Sequence, residues 1–278
     1  MQTEYECFEI KRIKNVAHLM LSRPQKVNSL GLSFWTDFPK AIKALNYSGE
    51  IRALVISGQG EVFCGGLDLN LFAQQQEFHA KDAVARESII HALEVMQEGL
   101  SCLEKTRFPV IAAVHGACIG AGFDLIAACD FCFATEQAKF RIEETNIGMM
   151  ADIGILQRLP HQIPLNLSRY FAYTGESLTA DEAYRLGLVV KVLQSQEELI
   201  EHALKIATKI ANKPPIAMQG IKKSITFSRD HGVPSALEHT LPLQAAILNG
   251  EDIMLAIQSR TTKHDAEYKN LNAITFAE

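Results

Sequence analysis

A chain of 278 residues with 47% hydrophobic and 21% charged residues can build a sizeable core, so extensive disorder is excluded. The net charge of −5 and the lack of a dominant basic patch argue against a nucleic-acid partner. No apolar run reaches the roughly 18 residues of a membrane span, so no membrane partner is expected. The first residues lack the order of a signal peptide and the last lack a Ser-Lys-Leu-type peroxisomal signal, so we expect a cytoplasmic protein.

Strand and helix patterns alternate over the first two thirds of the chain. In chain order, they predict a strand at 16–21, a helix at 32–46, a strand at 53–57, a helix from about 80 to 105, a strand at 108–116, a helix after Asp124, and strands at 130–134 and 139–142. The first of these helices is expected to bury one face, made of Leu32, Trp35, Phe38, Ile42 and Leu45. This alternation indicates an α/β core with parallel strands.

Helical patterns dominate the last third of the chain. Thr179 and Glu182 have the spacing of a capping box, a strand pattern follows at 188–193, and helices are predicted at 195–212, 214–230, 234–250 and 251–263. We therefore predict a core at 1–195 and a C-terminal helical region at 196–278. From sequence, this region is equally compatible with covering its own core and with packing across a subunit interface.

The six cysteines do not form a metal-binding pattern. Cys129 and Cys132 give a C-x2-C, but a second pair and a histidine cluster, which strong zinc patterns contain, are missing. We predict reduced, mostly buried thiols and no metal site.

Two glycine-rich turns each follow a predicted strand. The first is Gly65-Gly66-Leu67-Asp68, and the second contains Gly116, Gly120 and Gly122 before a predicted helix. Glycine allows close approach of the backbone to a ligand, so two such turns facing each other could offer two N–H donors to one oxyanion. Each could equally be a tight turn alone. The spacing does not fit the dinucleotide-binding fingerprint.

Three carboxylates stand among glycines and apolar residues: Asp124, Glu144 and Asp152. Burial of a carboxylate raises its pKa toward the range where it can transfer protons near neutrality. A helix cap or a surface charge is the alternative explanation for each. Glu143 lies beside Glu144, and sequence spacing does not decide which of the two faces inward.

Together these motifs resemble the crotonase superfamily, also called the enoyl-CoA hydratase/isomerase family. The resemblance covers nearly the whole chain and rests on RP-x-x-x-N-S-L at 23–30, FCGGLDL at 63–69, HGACIGAGFDLIAACDFCFAT at 115–135 and GILQRLP at 154–160. It implies a spiral of ββα units with a C-terminal helical oligomerisation region, assembled as a homotrimer or homohexamer.

Within this family, the acids resemble the pattern of Δ3,5-Δ2,4-dienoyl-CoA isomerases. The hydratase pattern has glutamates at positions 124 and 144 and no acid at 152, whereas the isomerase pattern has Asp, Glu and Asp, as in this chain. There are two departures. Ala121 replaces a glycine whose backbone N–H is used, and Asn146 replaces an aspartate.

The resemblance implies isomerisation of 3,5-dienoyl-CoA to 2,4-dienoyl-CoA in fatty-acid β-oxidation. Asp152 would take a proton from carbon 2, Glu144 would return one at carbon 6, and Asp124 would orient or tune the pair. The N–H groups of Leu67 and Ala121 would form the oxyanion hole. The residues implied to bind the substrate are Gly65, Gly66, Leu67, Asp68, Leu69 and Ala121, with Lys222 and Lys223 as candidates for the CoA adenine and phosphates. Coenzyme A would be part of the substrate, and no separate cofactor is implied.

Two alternatives stay open at this point. The chain could be another crotonase-fold enzyme, chiefly a 2-enoyl-CoA hydratase, in which two acids hold one water. It could also be a non-catalytic member that binds acyl-CoA or RNA.

Overall fold

In a computed structural model of the protein, the described residues are 2–70, 82–263 and 265–275. Their strands are β1 (Gln2–Glu4), β2 (Phe8–Ile13), β3 (Val16–Leu21), β4 (Ala53–Gly58), β5 (Val110–Val114), β6 (Ala117–Ile119), β7 (Phe131–Thr135), β8 (Lys139–Arg141), β9 (Leu178–Thr179) and β10 (Val189–Leu193). Their helices are α1 (Leu32–Ser48), α2 (Ala83–Ser101), α3 (Ala121–Ala127), α4 (Ile155–Arg158), α5 (Leu165–Thr174), α6 (Ala180–Leu186), α7 (Gln196–Ala211), α8 (Pro215–His231), α9 (Val233–Ile247) and α10 (Gly250–Thr262). Short 3-10 helices are found at Pro24–Lys26, Glu144–Ile147 and Leu159–His161.

The strands form two sheets. Within the described residues, seven strands pair in the order β1-β2-β3-β4-β5-β7-β10, and three pair in the order β6-β8-β9. The β1, β2 and β3 strands pair antiparallel, whereas each neighbouring pair from β3 to β10 is parallel. The prediction of an α/β core with parallel strands is confirmed.

The large sheet is covered on both faces, which explains its continuous apolar runs. All six residues of β4 are buried. On one face, Leu54 and Ile56 join the main core with the aromatic residues of α1. On the other face, Val55 packs in a second cluster with α7, which contributes Leu199, Ala203, Ala207 and Ala211.

Helix boundaries follow the sequence pattern with small differences. Helix α1 buries Trp35, Phe38 and Ile42 as predicted, but Leu32 is 56% exposed because it is the first residue of the helix and precedes the stretch that packs on the sheet. Helix α3 begins at Ala121 rather than after Asp124, so that acid lies within the helix. The helix predicted from about 80 to 105 is α2, and its predicted residues 80 and 81 lie outside the described residues.

The predicted C-terminal helices are confirmed as α7 to α10. The predicted capping box also forms: the hydroxyl of Thr179 accepts from the Glu182 N–H at 3.3 Å, and the Glu182 carboxylate accepts from the Thr179 N–H at 2.9 Å. In the part of the chain that the structure describes, no helix combines the length and the apolar character needed to cross a membrane.

Lys222 does not have the role suggested for it. Its side chain is 4% exposed, and its Nζ donates to the carbonyl oxygens of Leu103 and Phe108 at 2.8 and 3.2 Å. It also donates to Thr106 Oγ1 at 2.9 Å and to Asp130 Oδ2 at 2.7 Å. A buried ammonium with these partners cannot reach the adenine or phosphates of CoA, so this expectation was wrong. Lys223 is exposed and stays a prediction.

The cysteine prediction is confirmed. The six cysteines are free, and all except the partly buried Cys102 are buried. Burial raises the pKa of Cys64 to about 12, so this thiol is not poised for reaction.

Candidate active site

The two glycine turns lie side by side. The Cys64 N–H donates to the Ala117 carbonyl, and the Ile119 N–H donates to the Cys64 carbonyl, each at 3.0 Å. Gly66 has a φ of +95°, and a Cβ atom there would lie 2.9 Å from the Ile119 carbonyl oxygen and 3.7 Å from the Ala121 nitrogen. Only glycine allows this approach, so the turn at 65–68 packs directly against the start of α3.

Two backbone N–H groups at this junction are free to bind a ligand. Neither the Leu67 N–H nor the Ala121 N–H donates to another described residue, whereas the Asp68 N–H donates to the Leu30 carbonyl at 3.1 Å. The Gly120 N–H likewise donates to the Arg141 carbonyl at 2.9 Å. Ala121 is the first residue of α3, where an N–H has no partner within the helix.

The segment 27–30 supports the first turn, and its residues were noted in the sequence only as part of a motif. The Gly65 N–H donates to the Val27 carbonyl and the Leu30 N–H to the Gly66 carbonyl, each at 2.8 Å. The Asn28 amide donates to the carbonyls of Gln59 and Val62 at 2.8 and 2.9 Å. Asn28 adopts a left-handed φ of 54°, which asparagine tolerates better than most residues.

A cavity of about 330 Å³ opens beside the two free N–H groups. Its walls are mostly apolar, and they contain both Glu144 and Asp152. Five of the six residues expected to bind substrate also line it: Gly65, Gly66, Leu67, Leu69 and Ala121. Helix α2 adds Ile89, Leu93 and Met96, which sequence reasoning had treated only as helix periodicity.

Glu143 and Glu144 both line the cavity, but of these two described residues only Glu143 is held in an ion pair there. The Oε1 of Glu144 lies next to Gly120, where an added Cβ would be 3.1 Å away, and its Oε2 is buried without a hydrogen-bond partner. Glu143 forms an ion pair with Arg141. Burial, followed by the negative charge of Asp152, raises the pKa of Glu144, and burial raises the pKa of Asp152.

Asp124 lies behind the cavity and is not part of its lining. Its side chain is fully buried, its Oδ1 accepts from the Ile155 N–H at 2.6 Å, and its Oδ2 has no hydrogen-bond partner. Burial, followed by the charge of Glu144, raises its pKa to about 8. The third acid is therefore mostly neutral at pH 7, with its contact to the start of α4 intact.

The side chain of Asp68 also lies off the cavity lining. It accepts from Arg23 Nη2 at 3.1 Å and from the Asn70 N–H at 3.2 Å. Burial alone would raise the pKa of Asp68, but these hydrogen bonds lower it overall. Arg23 is 5% exposed, so the pair ties the turn to segment 23–30.

Neither Asn146 nor His115 lines the cavity. The Asn146 amide donates to Glu143 Oε2 at 3.2 Å and to the Gly175 carbonyl at 3.1 Å, so its contact is with Glu143 rather than Glu144. His115 bonds through Nε2 to the Gly60 carbonyl at 2.9 Å, and its buried Nδ1 has no hydrogen-bond partner among the described residues.

Comparison with known proteins supports this fold. The sequence model of the family described as enoyl-CoA hydratase/isomerase matches residues 11–270. The Δ3,5-Δ2,4-dienoyl-CoA isomerase of Pongo abelii, named as mitochondrial, is 37% identical over 95% of this chain and 80% of its own length. The peroxisomal enzyme of the same name from Arabidopsis thaliana is 36% identical over 96% of this chain and 98% of its length. The crystal structure of enoyl-CoA hydratase from Bacillus anthracis superposes with a TM-score of 0.87 at 28% identity, over 95% of this chain and 99% of that one.

Proposed function

The chain belongs to the enoyl-CoA hydratase/isomerase family, and we propose that within it this protein isomerises 3,5-dienoyl-CoA to 2,4-dienoyl-CoA in fatty-acid β-oxidation. One observation carries the proposal. A mostly apolar cavity brings Glu144 and Asp152 together beside the unpaired N–H groups of Leu67 and Ala121. The presence of an acid at 152, together with the dienoyl-CoA isomerases among the relatives, supports this reaction over others in the family.

The N–H groups of Leu67 and Ala121 bind the thioester oxygen of the substrate. When a proton leaves carbon 2, negative charge moves onto this oxygen and forms a dienolate. Donors that are already fixed in place stabilise that charge without rearrangement, which contributes several kcal/mol in such sites. The backbone supplies both donors, so alanine serves at position 121 as well as glycine.

Asp152 is the base at carbon 2, and Glu144 is the acid at carbon 6. The electrostatics suit a pair of acids with opposite roles, because repulsion between the two carboxylates favours a state in which one is ionised and the other protonated. The C2–H bond breaks as Asp152 takes the proton, each of the two double bonds shifts by one carbon toward the thioester, and a C6–H bond forms as Glu144 gives up its proton. Asp124, mostly neutral at pH 7, keeps a third negative charge away from the pair and holds the Ile155 N–H.

The assembly and location belong to the same proposal. A homotrimer or homohexamer is supported by exposed apolar side chains on the C-terminal helices, among them Ile225 on α8, Leu241 on α9 and Met254 on α10. The cytoplasmic location stays a prediction, because the two relatives named above are mitochondrial and peroxisomal proteins.

The second candidate is a 2-enoyl-CoA hydratase, which the similarity to the solved hydratase favours. The family pattern for hydration uses the acids at 124 and 144 to hold one water. Here Asp124 is fully buried and does not line the cavity, so it has no access to such a water.

A paired ultraviolet assay tests the proposal. Purified protein is given a 3,5-dienoyl-CoA in one cuvette and a trans-2-enoyl-CoA in the other. We expect growth of the conjugated 2,4-dienoyl absorbance and little loss of the enoyl absorbance. Asp152→Asn should reduce the isomerase rate by roughly 10²–10⁴-fold, as for removal of a general base. Hydration without isomerisation would replace the proposal with the hydratase function.

A further inference from the structure

The segment 152–155, which carries Asp152, separates two cavities. Ile153 lines the acyl-CoA cavity and also a second, polar cavity of about 560 Å³. The second cavity is bordered by Gly154, Arg158 and residues of α2 such as Gln97. With open space on both sides, the position of this segment depends on the few groups that bind its backbone.

Three side chains form hydrogen bonds with the backbone of the segment 152–155. Gln97 Nε2 donates to the Asp152 carbonyl at 2.7 Å, and Arg158 Nη1 donates to the Ile153 carbonyl at 3.5 Å. The Ile155 N–H donates to Asp124 Oδ1 at 2.6 Å. The hydrogen bond from Arg158 is long, but its guanidinium also fills the space beside Gly154. A Cβ at Gly154, where φ is +132°, would lie only 1.8 Å from Nη1.

The guanidinium of Arg158 is itself fixed from the opposite side. Its Nη2 donates to Glu104 Oε2 at 2.7 Å and to Ser101 Oγ at 2.9 Å, and its Nε donates to the same Glu104 oxygen at 3.2 Å. The side chains of Arg158 and Glu104 are 11% and 16% exposed. Two N–H groups of the guanidinium converge on one carboxylate oxygen, and these charge-assisted hydrogen bonds fix its orientation as well as its charge. The other oxygen of Glu104 pairs with Arg229 of α8.

We propose that Arg158 is a positioning residue for the proton transfer: bound to Glu104 and Ser101, it holds the segment 152–155 so that Asp152 faces the substrate. Arg158 does not line the acyl-CoA cavity, so it acts through the backbone of the base rather than on the substrate. This inference rests on the proposed function for its catalytic consequence. The structural claim, that Arg158 orders the segment 152–155, does not depend on which reaction the protein catalyses.

Arg158→Gln and Arg229→Gln form a matched pair for the test. Each removes one arginine from the same carboxylate, but only Arg158 contacts the segment 152–155. Arg158→Lys is a further variant that keeps a positive charge near Glu104, so the test can still be made if Arg158→Gln does not fold. A single ammonium cannot replace the forked contacts to Ser101, Glu104 and the Ile153 carbonyl together.

Two readouts are taken on each variant. We expect Arg158→Gln to reduce kcat roughly 10- to 100-fold with KM changed less than about threefold, because misplacement of a base by a fraction of an ångström costs turnover and not binding. Arg158→Lys should change in the same direction, and Arg229→Gln should keep kcat within about twofold. Hydrogen exchange measured on peptides that cover 152–156 should accelerate at least about tenfold in both Arg158 variants and stay at the wild-type rate in Arg229→Gln.

The outcomes separate the two proposals. An active wild type whose kcat and exchange rate are unchanged in the Arg158 variants overturns the positioning role. Equal loss of kcat in Arg158→Gln and Arg229→Gln also overturns it, because the effect would then belong to the stability of the ion-pair network. A wild type that does not isomerise 3,5-dienoyl-CoA overturns the proposed function, and the exchange experiment still decides whether Arg158 orders the segment.

Discussion

Replacing Asp124 by asparagine should stabilise the protein, and more so as the pH rises. Asp124 is fully buried, and its pKa lies at about 8 instead of its usual value of 3.8. Between these two values, the folded protein keeps a proton that the unfolded chain has released. The free energy of unfolding therefore falls as the pH rises through this range, by up to about 1.4 kcal/mol for each pH unit.

Asparagine keeps an oxygen to accept the Ile155 N–H, but it has no proton to lose. The difference in unfolding free energy between Asp124→Asn and the wild type should therefore grow by about 3–4 kcal/mol from pH 5 to pH 8. Below about pH 3 both states of the wild type bind the proton, so no further change with pH is expected there from this group. The full cost of ionising the buried acid, reached above pH 8, is about 5–6 kcal/mol.

Urea unfolding at pH 5, 6, 7 and 8 measures this difference, at one protein concentration because the protein is proposed to be an oligomer. The single tryptophan, Trp35, is buried and reports unfolding by fluorescence. Asp181→Asn is the control, because it removes an exposed acid from α6 and should change stability by less than about 0.5 kcal/mol. A difference for Asp124→Asn that stays within about 1 kcal/mol over this pH range would refute the reasoning that burial keeps Asp124 neutral.

Other variants test the remaining assignments. Glu144→Gln should lower kcat by roughly 10²–10⁴-fold in the isomerase assay. Glu143→Gln, at the ion-paired neighbour, should lower kcat less than about tenfold. A similar loss of kcat in the two variants would mean that the wrong acid was assigned. Leu67→Ala should change kcat less than about threefold, because the backbone supplies the donor, and a large fall would give the side chain a role. Lys222→Met should lower the unfolding free energy by about 3–5 kcal/mol, since it leaves Asp130 without its cationic partner and with the Val110 N–H as its remaining donor among the described residues. The KM for acyl-CoA should stay near that of the wild type, and a selective rise in KM would restore the CoA-binding role.

The elements of the fold were readable from local patterns. The strand at Ala53–Gly58 and the helix at Gln196–Ala211 follow from runs and periods of apolar residues, and the cap at Thr179 follows from two residues three apart. These features depend on neighbours in the chain, so the sequence contains the information directly. The glycine turns were readable for the same reason, although the sequence left open whether they meet.

Carboxylates among apolar neighbours are rare, so the amino-acid sequence was enough to single out the candidates for proton transfer. It did not contain the contacts that place Glu144 and Asp152 in one cavity with Asp124 buried behind it, or that bury Lys222 against Asp130, 92 positions away in the chain. The contact between Arg158 and Glu104, beside the segment that carries Asp152, was equally absent from the local pattern. Burial and ion pairing depend on contacts between distant parts of the chain, and these contacts form only when the sheets and helices pack.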